Sequence, residues 1–248
     1  MDRGTRLLQK KALLVAERLE RFLGIPRQSK RKAKPLDMLI ATVLSQNTND
    51  QNSHRAYVNL RKTFSTWQAL LDAPMRKIVS AIRVGGMANQ KSVRIKRLLH
   101  TLKRRYGTLN LAFLKKKSND EVFEILLSLD GVGTKTAACV LLFSMGRDVF
   151  PVDTHVHRIC GRLGLTSDCK TPEKTFERMK EIIPKGKGYS FHTNLIRFGR
   201  KVCRSTHPLC GVCPLYVECR YEQKETFKGS IHASLSQNKI DFMLLDNV

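Results

Sequence analysis

Apolar residues recur every three or four positions along most of the chain, which is the period expected of amphipathic α-helices. In the N-terminal segment Leu8, Val15 and Leu19 follow this spacing, and the pattern stops at Gly24 and Pro26. The same period predicts further helices over 36–44, 66–73, 75–84, 90–106, 120–129, 156–163, 172–183 and 190–202. Strict alternation of apolar and polar residues is confined to short stretches, so few strands are expected. The pattern therefore predicts a mostly α-helical fold.

Two of these helices begin with polar residues that can stabilise a helix N-terminus. Asp37 follows Pro35 as an acidic first-turn residue, where the helix dipole favours a negative charge. Ahead of the helix over 120–129, Asn119 or Asp120 is expected to be the capping residue.

Basic residues greatly outnumber acidic ones. The 248 residues include 45 Lys and Arg against 21 Asp and Glu, which gives a formal net charge of +24 at pH 7. A compact protein with this charge repels itself unless a polyanion offsets it, so nucleic acid is the first partner to consider and an anionic membrane surface the second. The length allows one large domain or two small ones.

The sequence carries no signal for a membrane or for secretion. Its apolar runs fall short of the roughly 18 residues needed to span a bilayer. The N-terminal helix has Glu17 and Glu20 within a basic pattern and lacks the apolar core of a signal peptide. We therefore expect an intracellular protein with no membrane partner, in the cytoplasm or nucleoid of a prokaryote, with the nucleus or an organelle left open.

A basic loop over 27–34 follows the first helix and has no apolar face. The favoured interpretation is a solvated linker, and the alternative is a strap that contacts phosphates.

A glycine-containing turn lies between two helical patterns, in the run Gly131-Val132-Gly133-Thr134. Glycine permits a positive φ and leaves the backbone open to close approach. Backbone N–H groups at such a turn, together with the positive end of the following helix, favour a phosphate. The spacing differs from that of a nucleotide P-loop, and a plain helix–turn–helix corner is the alternative.

Two ionisable residues after this turn are candidates for catalysis. Lys135 lies in the first turn of the next helix, where the positive end of the dipole favours the neutral amine, and a neutral amine can attack a sugar carbon to form a Schiff base. Asp153 precedes another predicted helix and can assist such an amine. Phosphate contact by Lys135 and simple helix capping by Asp153 are the alternatives. His155 and His157 are interpreted as packing or phosphate contacts.

Four of the seven cysteines crowd together in the spacing Cys-x6-Cys-x2-Cys-x5-Cys, as Cys203, Cys210, Cys213 and Cys219. In an intracellular chain this crowding indicates metal ligation ahead of disulfides. Four thiolates can hold zinc or an iron–sulfur cluster, and the single close pair leans mildly toward the cluster. The loop that begins at Arg204 carries basic and polar residues that can face phosphates, although the region can also be a purely structural knot.

The hairpin that leads to Lys135, the Val-Asp-Thr-His stretch over 152–155 and the cysteine spacing together resemble the endonuclease-III-like DNA glycosylases of the helix–hairpin–helix superfamily. The resemblance runs from about Leu36 to Glu222. It implies an all-α fold of two helical domains, a six-helix barrel and an iron–sulfur cluster domain, with a DNA-binding cleft between them. The implied domains are a basic N-terminal helix and loop over 1–35 that packs on the cluster domain, the barrel over 36–147, the cluster domain over 148–223 and a tail over 224–248.

The same resemblance implies roles for individual residues. Lys135 is the implied nucleophile, Asp153 is the assisting carboxylate, the hairpin glycines grip the damaged strand, and the four cysteines hold a [4Fe–4S] cluster. Gln46 or Asn47 would fill the space left by an extruded base, and Met87 would wedge opposite it. The first of these loops departs from the commonest bacterial pattern, which has a glutamine where Asn47 falls.

The implied function is base-excision repair by a bifunctional DNA glycosylase and AP lyase. It would remove damaged pyrimidines, with oxidised ones as the default, from duplex DNA through a lysine Schiff base and β-elimination, acting as a monomer on DNA with a damaged base or abasic site. Two alternatives stay open: a monofunctional glycosylase for mismatches or modified cytosine, and a non-catalytic DNA-binding protein with a structural metal site made of the four cysteines.

Overall fold

The structure, a computed structural model, describes residues 2–29 and 32–229. The part of the predicted tail beyond residue 229 lies outside the described residues, as do two residues of the basic loop. Every regular element in the described part is helical, so the all-α prediction is confirmed. Among the described helices none is both long and apolar enough to cross a membrane. The chain divides into two compact units. The first unit combines the segment up to Gln28 with the chain from Asp148 onward, and the second unit runs from Ser29 to Arg147.

The described part of the second unit contains seven α-helices. They are α2 (Pro35–Ser45), α3 (Asp50–Thr63), α4 (Trp67–Asp72), α5 (Met75–Ile82), α6 (Ala88–Tyr106), α7 (Asn119–Leu127) and α8 (Thr134–Cys139). Two 3₁₀ segments, Arg83–Gly85 and Ala112–Lys116, connect them, and α8 continues into a π-helical segment, Val140–Ser144. Helix α2 is buried along almost its whole length and contacts α3, α6 and α8, so it forms the centre of this unit.

The first unit contains α1 (Arg3–Leu23), α9 (Thr154–Arg162), α10 (Pro172–Ile182) and α11 (Gly188–Lys201). Short 3₁₀ segments follow at Cys210–Val212 and Glu222–Lys224. Helix α11 is the most buried, and its Phe191 and Phe198 are among the largest fully buried side chains of the described chain.

Helix α1 joins the first unit through its predicted apolar stripe and through one carboxylate. Val15 and Leu19 are fully buried, and α1 contacts α10 and α11. The Glu20 carboxylate lies 2.7 Å from the ammonium of Lys187 and accepts a hydrogen bond of 2.7 Å from the hydroxyl of Ser190. The N-terminal helix is therefore held by residues about 170 positions further along the chain.

The predicted cap of α7 was wrong by one or two residues. Ser118 is the N-cap: its hydroxyl accepts from the backbone N–H of Glu121, and the Glu121 carboxylate accepts from the backbone N–H of Ser118. This reciprocal capping box satisfies two N–H groups at once, whereas Asn119 or Asp120 alone would satisfy one.

Candidate functional site

The predicted hairpin connects α7 to α8 in the second unit. Gly131 has φ +75°, the left-handed conformation that glycine tolerates, whereas Gly133 is extended and is the N-cap of α8. Val132 is buried between them, and its N–H donates to the carbonyl of Leu129 at 3.1 Å. Because a glycine cap has no side chain, no capping group covers the first N–H groups of α8. Thr134 opens the helix and is half-buried.

Arg94 of α6 links this hairpin to a second loop. A Cβ atom added to Gly131 would collide with the side chain of Arg94, so the glycine allows the arginine to lie flat against the turn. The Arg94 guanidinium also donates a hydrogen bond of 2.5 Å to the side-chain carbonyl of Gln46. One arginine therefore contacts both the hairpin and the loop that follows α2.

Asn47, one of the two residues predicted to fill the vacated space, contacts Met87, which is predicted to wedge opposite it. The side-chain amide of Asn47 lies 3.5 Å from the sulfur of Met87. Both residues have a positive φ, +52° and +50°, which is uncommon for side chains of this size. Asn47 is exposed and Met87 is 46% exposed, so Met87 is not a core methionine. Gln46, in contrast, is held by Arg94, which favours Asn47 as the residue that is free to project.

A buried lysine ties together the two loops that carry these residues. Lys91 is only 3% exposed, and its ammonium donates to the carbonyls of Leu44 at 2.8 Å and Gly85 at 2.7 Å. Burial lowers the pKa of Lys91. The first carbonyl lies in the last turn of α2 before Asn47, and the second lies two residues before Met87. The buried ammonium of Lys91 thus fixes the distance between the two chain segments that lead to Asn47 and Met87.

The two predicted catalytic residues belong to different units. Lys135 is the second residue of α8 and is half-buried. Asp153 is the N-cap of α9, and its carboxylate accepts from the backbone N–H of Val156 at 2.8 Å. Asp153 therefore has the capping role considered as an alternative, and capping by one carboxylate oxygen leaves the other available for a second partner. A shared role of Lys135 and Asp153 stays a prediction.

The two histidines after Asp153 have partners within the first unit. His155 shares a hydrogen bond of 3.1 Å with Arg158, and His157 shares one of 2.8 Å with the hydroxyl of Thr175. Each ring therefore has a local partner consistent with packing.

The four clustered cysteines line one small apolar cavity in the first unit. They are Cys203, Cys210, Cys213 and Cys219, and all are free thiols. In the described residues no three His, Cys, Asp or Glu side chains already converge as metal ligands. Burial raises the pKa of Cys213 to about 12 and that of Cys203 above its ordinary value. Four soft sulfur donors around a single apolar cavity nevertheless fit a tetrathiolate centre.

Arg162 holds the loop on which the first of these cysteines lies. Its guanidinium donates to the sulfur of Cys203 at 3.4 Å and to the carbonyls of Arg204 at 2.7 Å and Ser205 at 3.0 Å. The same group lies 4.1 Å above the ring of Tyr221. The side chain of Arg204, predicted to face phosphates, is exposed.

The sequence interpretation missed Lys91 and Arg94. A signal was present for the first: Lys91 stands in register with Ile95, Leu98 and Leu102, at the spacing of the apolar stripe of α6. A lysine at an apolar position of a helix indicates either a snorkelling side chain or a buried ammonium with carbonyl partners. No comparable signal marks Arg94.

Comparison with known proteins identifies the family of the chain. Residues 40–185 match the HhH-GPD superfamily of base excision DNA repair proteins. The chain is 35% identical to endonuclease III of Thermotoga maritima over 218 residues, which is 88% of this chain and 95% of that protein. Its fold is similar to that of endonuclease III in a non-covalent complex with DNA (TM-score 0.75) and in a trapped covalent intermediate with DNA (TM-score 0.74), each at 26% identity over 88% of this chain and 98% of that one. The chain therefore belongs to the HhH-GPD superfamily of base excision DNA repair proteins, as a DNA glycosylase related to endonuclease III.

Proposed function

We propose that this glycosylase is bifunctional: it removes an oxidised pyrimidine from duplex DNA and then breaks the strand through a Schiff base on Lys135. The observation that carries the proposal is the position of Lys135, two residues beyond the Gly131-Val132-Gly133 hairpin, in the first turn of α8. A hairpin with open backbone N–H groups can hold the phosphates next to the lesion, and this would place the Lys135 amine near the sugar.

The chemistry begins with attack of the Lys135 amine on C1′ of the damaged nucleotide. The bond from C1′ to the base breaks, and the base leaves with the bonding electrons and takes up a proton. Loss of the amine proton and opening of the sugar ring leave an imine between Lys135 and C1′. Removal of a proton from C2′ then expels the 3′ phosphate by β-elimination, and water releases the lysine.

Asp153 is proposed to assist this sequence from the start of α9. Its carboxylate would accept the proton that the Lys135 amine releases and would stabilise positive charge that develops at C1′. The hydrogen bond from the N–H of Val156 fixes the carboxylate in one orientation, and a fixed orientation reduces the reorganisation needed during the reaction.

The loops that carry Asn47 and Met87 are proposed to stabilise the extruded nucleotide. Extrusion costs a few kcal/mol of stacking and pairing. Side chains that occupy the vacated space offset part of that cost. Asn47 and Met87 are already in contact and exposed, so little further ordering would be needed on binding.

The four cysteines are proposed to hold a [4Fe–4S] cluster, which supplies structural cross-linking of the loop over 203–219. The cluster would hold the cysteines as thiolates, so its assembly releases protons from the buried thiols. We assign no step of the reaction to it. The loop that begins at Arg204 would then be held in a shape able to contact DNA phosphates.

The substrate is proposed to be double-stranded DNA with a damaged base or an abasic site, bound by a monomer inside the cell. The high positive charge supports the polyanionic partner. A monofunctional glycosylase for mismatched or modified bases is the alternative, and base release without strand breakage would favour it.

Borohydride trapping on duplexes with a series of altered bases tests the proposal. Wild-type protein should become covalently attached to lesion DNA, and Lys135→Gln should not. Lys116→Gln, which removes an exposed lysine of the 3₁₀ segment, is the matched control and should trap as well as wild type. Trapping of Lys135→Gln at the wild-type level would remove the assignment of the nucleophile.

A further inference from the structure

The second unit contains a cavity that is separate from the hairpin and the insertion loops. Its volume is about 860 Å3, within the range of about 300–1,000 Å3 that is usual for ligand sites. The lining comes from separate segments: the basic loop before α2, the start of α2, the start of α4, the end of α6 and the π-helical segment after α8.

This cavity lies at the opposite ends of the helices that lead to the candidate site. Helix α2 begins at the cavity with Pro35 and ends beside Gln46; its 11 residues span about 16 Å. Helix α6 begins after Met87 and reaches the cavity at Lys103, a span of about 24 Å. Helix α8, which begins after Gly133, continues into the π-helical segment that reaches the cavity at Ser144. DNA at the hairpin therefore would not occupy this space.

A buried hydroxyl with no partner belongs to one of the lining residues. Ser144 is 3% exposed, lines the cavity and has no hydrogen-bond partner for its Oγ among the described residues. A buried hydroxyl that lacks a partner is energetically unfavourable. Ser144 is also the last residue of the π-helical segment, and such segments occur frequently at functional sites. Both features indicate a ligand that supplies the missing partner.

The first turn of α2 presents a second feature suited to an anion. Lys34 is the N-cap and its side chain makes no capping hydrogen bond, while Pro35 occupies the first helical position. The N–H groups of the turn are thus not capped by a side chain, and the positive end of an 11-residue helix points toward the lining.

Most of the charged side chains around the cavity are basic, and several of them have no ion-pair partner. Four lysines line the cavity, are exposed, and form no ion pair with a described residue: Lys32, Lys34, Lys103 and Lys115. The acidic side chain in the lining, Asp37, accepts a hydrogen bond of 3.2 Å from the hydroxyl of Tyr57. Four lysines are therefore available for an anionic ligand.

Two arginines in the lining have structural partners instead. Arg147 donates to the side-chain carbonyl of Asn119 at 2.7 Å and to the carbonyl of Lys117 at 2.5 Å. Arg61 donates to the carbonyl of Ser65 at 3.0 Å and lies 4.4 Å above the ring of Trp67. These contacts hold the segments that line the cavity in place, so the site is formed without a ligand.

We propose that this cavity binds a phosphate group, with the Ser144 hydroxyl and the N–H groups of α2 as hydrogen-bond donors and Lys34 and Lys103 as the counter-charges. The phosphate belongs either to a small phosphorylated molecule or to a second nucleic-acid segment. This site goes beyond the proposed repair reaction and does not depend on it.

Trp67 provides the readout, because it is the single tryptophan of the chain and lines the cavity. The full-length protein is titrated with inorganic pyrophosphate, with deoxyadenosine monophosphate and with a short single-stranded oligonucleotide, at constant ionic strength. A saturable change in Trp67 fluorescence is expected. A tighter response to pyrophosphate or the mononucleotide identifies a small molecule, and a tighter response to the oligonucleotide identifies a second nucleic-acid segment.

Variants of the lining decide whether the response comes from the cavity. Ser144→Ala and the double variant Lys34→Gln/Lys103→Gln should each weaken binding by about tenfold or more, since the first removes a hydrogen-bond donor to a charged ligand and the second removes two counter-charges. Lys62→Gln, on the exposed face of α3 and outside the lining, should bind as wild type. Equal affinity in the double variant, whose changes are on the surface and should not disturb folding, would overturn the proposal, as would the lack of any saturable response. Glycosylase activity should be unchanged in all three variants.

Discussion

The side-chain amide of Asn47 lies 3.5 Å from the sulfur of Met87, although the two residues are 40 positions apart in the chain. Both occupy the left-handed backbone region, which costs a residue such as Met87 roughly 1–2 kcal/mol and costs asparagine less. Lys91 helps to hold this conformation, since it binds the backbone shortly before each of the two residues. The side chains of Asn47 and Met87, the tips of the two loops, are therefore positioned before any DNA is bound.

Truncation of either tip should slow base release from duplex DNA. We expect Asn47→Ala and Met87→Ala each to reduce the single-turnover excision rate by about tenfold, because about 1.4 kcal/mol of stabilisation of the extruded state corresponds to this factor. Gln51→Ala, at an exposed position of α3, is the matched control. Excision rates equal to that of the control would show that the pair does not support extrusion.

Replacement of Lys91 by methionine should loosen the two loops. Lys91→Met leaves the carbonyls of Leu44 and Gly85 without their donor, and a buried unpaired group costs about 1–3 kcal/mol. We expect a lower urea midpoint and a slower excision from duplex DNA, whereas the rate of trapping on a preformed abasic site should fall less. A uniform loss in both assays, in proportion to the unfolded fraction, would indicate that Lys91 contributes only to stability.

Substitutions of Asp153 separate its capping role from its chemical role. Asparagine caps helices about as well as aspartate, so Asp153→Asn should keep wild-type stability but lose most of the excision activity. Asp153→Ala should lose the activity and also about 1 kcal/mol of stability. Thr171→Ala removes the N-cap of α10 and should reduce stability alone. Full activity of Asp153→Asn would restrict this residue to capping.

The ion pair of Glu20 should make the attachment of α1 dependent on pH. Burial raises the pKa of Glu20, but the hydrogen bonds from Lys187 and Ser190 outweigh it, and the pKa lies below the ordinary value of 4.5. A lowered pKa in the folded state stabilises the protein above pH 4.5, and this stabilisation is lost as the pH falls through the folded-state pKa. We expect Glu20→Gln to lower the free energy of unfolding at pH 7, with a smaller difference from wild type at about pH 3.

Urea unfolding at the two pH values measures this effect. Glu17→Gln, at an exposed position of the same helix, is the control and should match wild type at both. A deficit of Glu20→Gln that stays constant with pH would exclude the ion pair as its cause.

The sequence predicted those helices that are determined by the spacing of nearby apolar residues and by the residues at their ends. The apolar spacing of Val15 and Leu19 predicted α1, and Gly24 and Pro26 predicted its end. Helix α3 was not predicted as a separate helix, because its buried positions include Ser53 and Ala56, which give a weak apolar signal.

The parts of the site that could not be predicted depend on distant residues. Lys91 has partners 47 and 6 positions away, and its burial depends on how two loops end. The cavity beside Ser144 is built from segments that only the fold brings together, and the π-helical turn that carries Ser144 has no sequence signature. Spacing along the chain predicts which residues share a helix face, and it does not predict which helix ends converge.

The attachment of α1 has a consequence for biosynthesis. This helix leaves the ribosome before the second unit, yet Arg18 pairs with Glu218 at 2.8 Å and Glu20 pairs with Lys187. The intervening second unit, from Ser29 to Arg147, is complete in sequence before those partners exist, and domains tend to fold as they are made. The nascent chain must therefore keep Val15 and Leu19 uncovered while its middle folds, and this interval is where chaperones that bind nascent chains would be needed most.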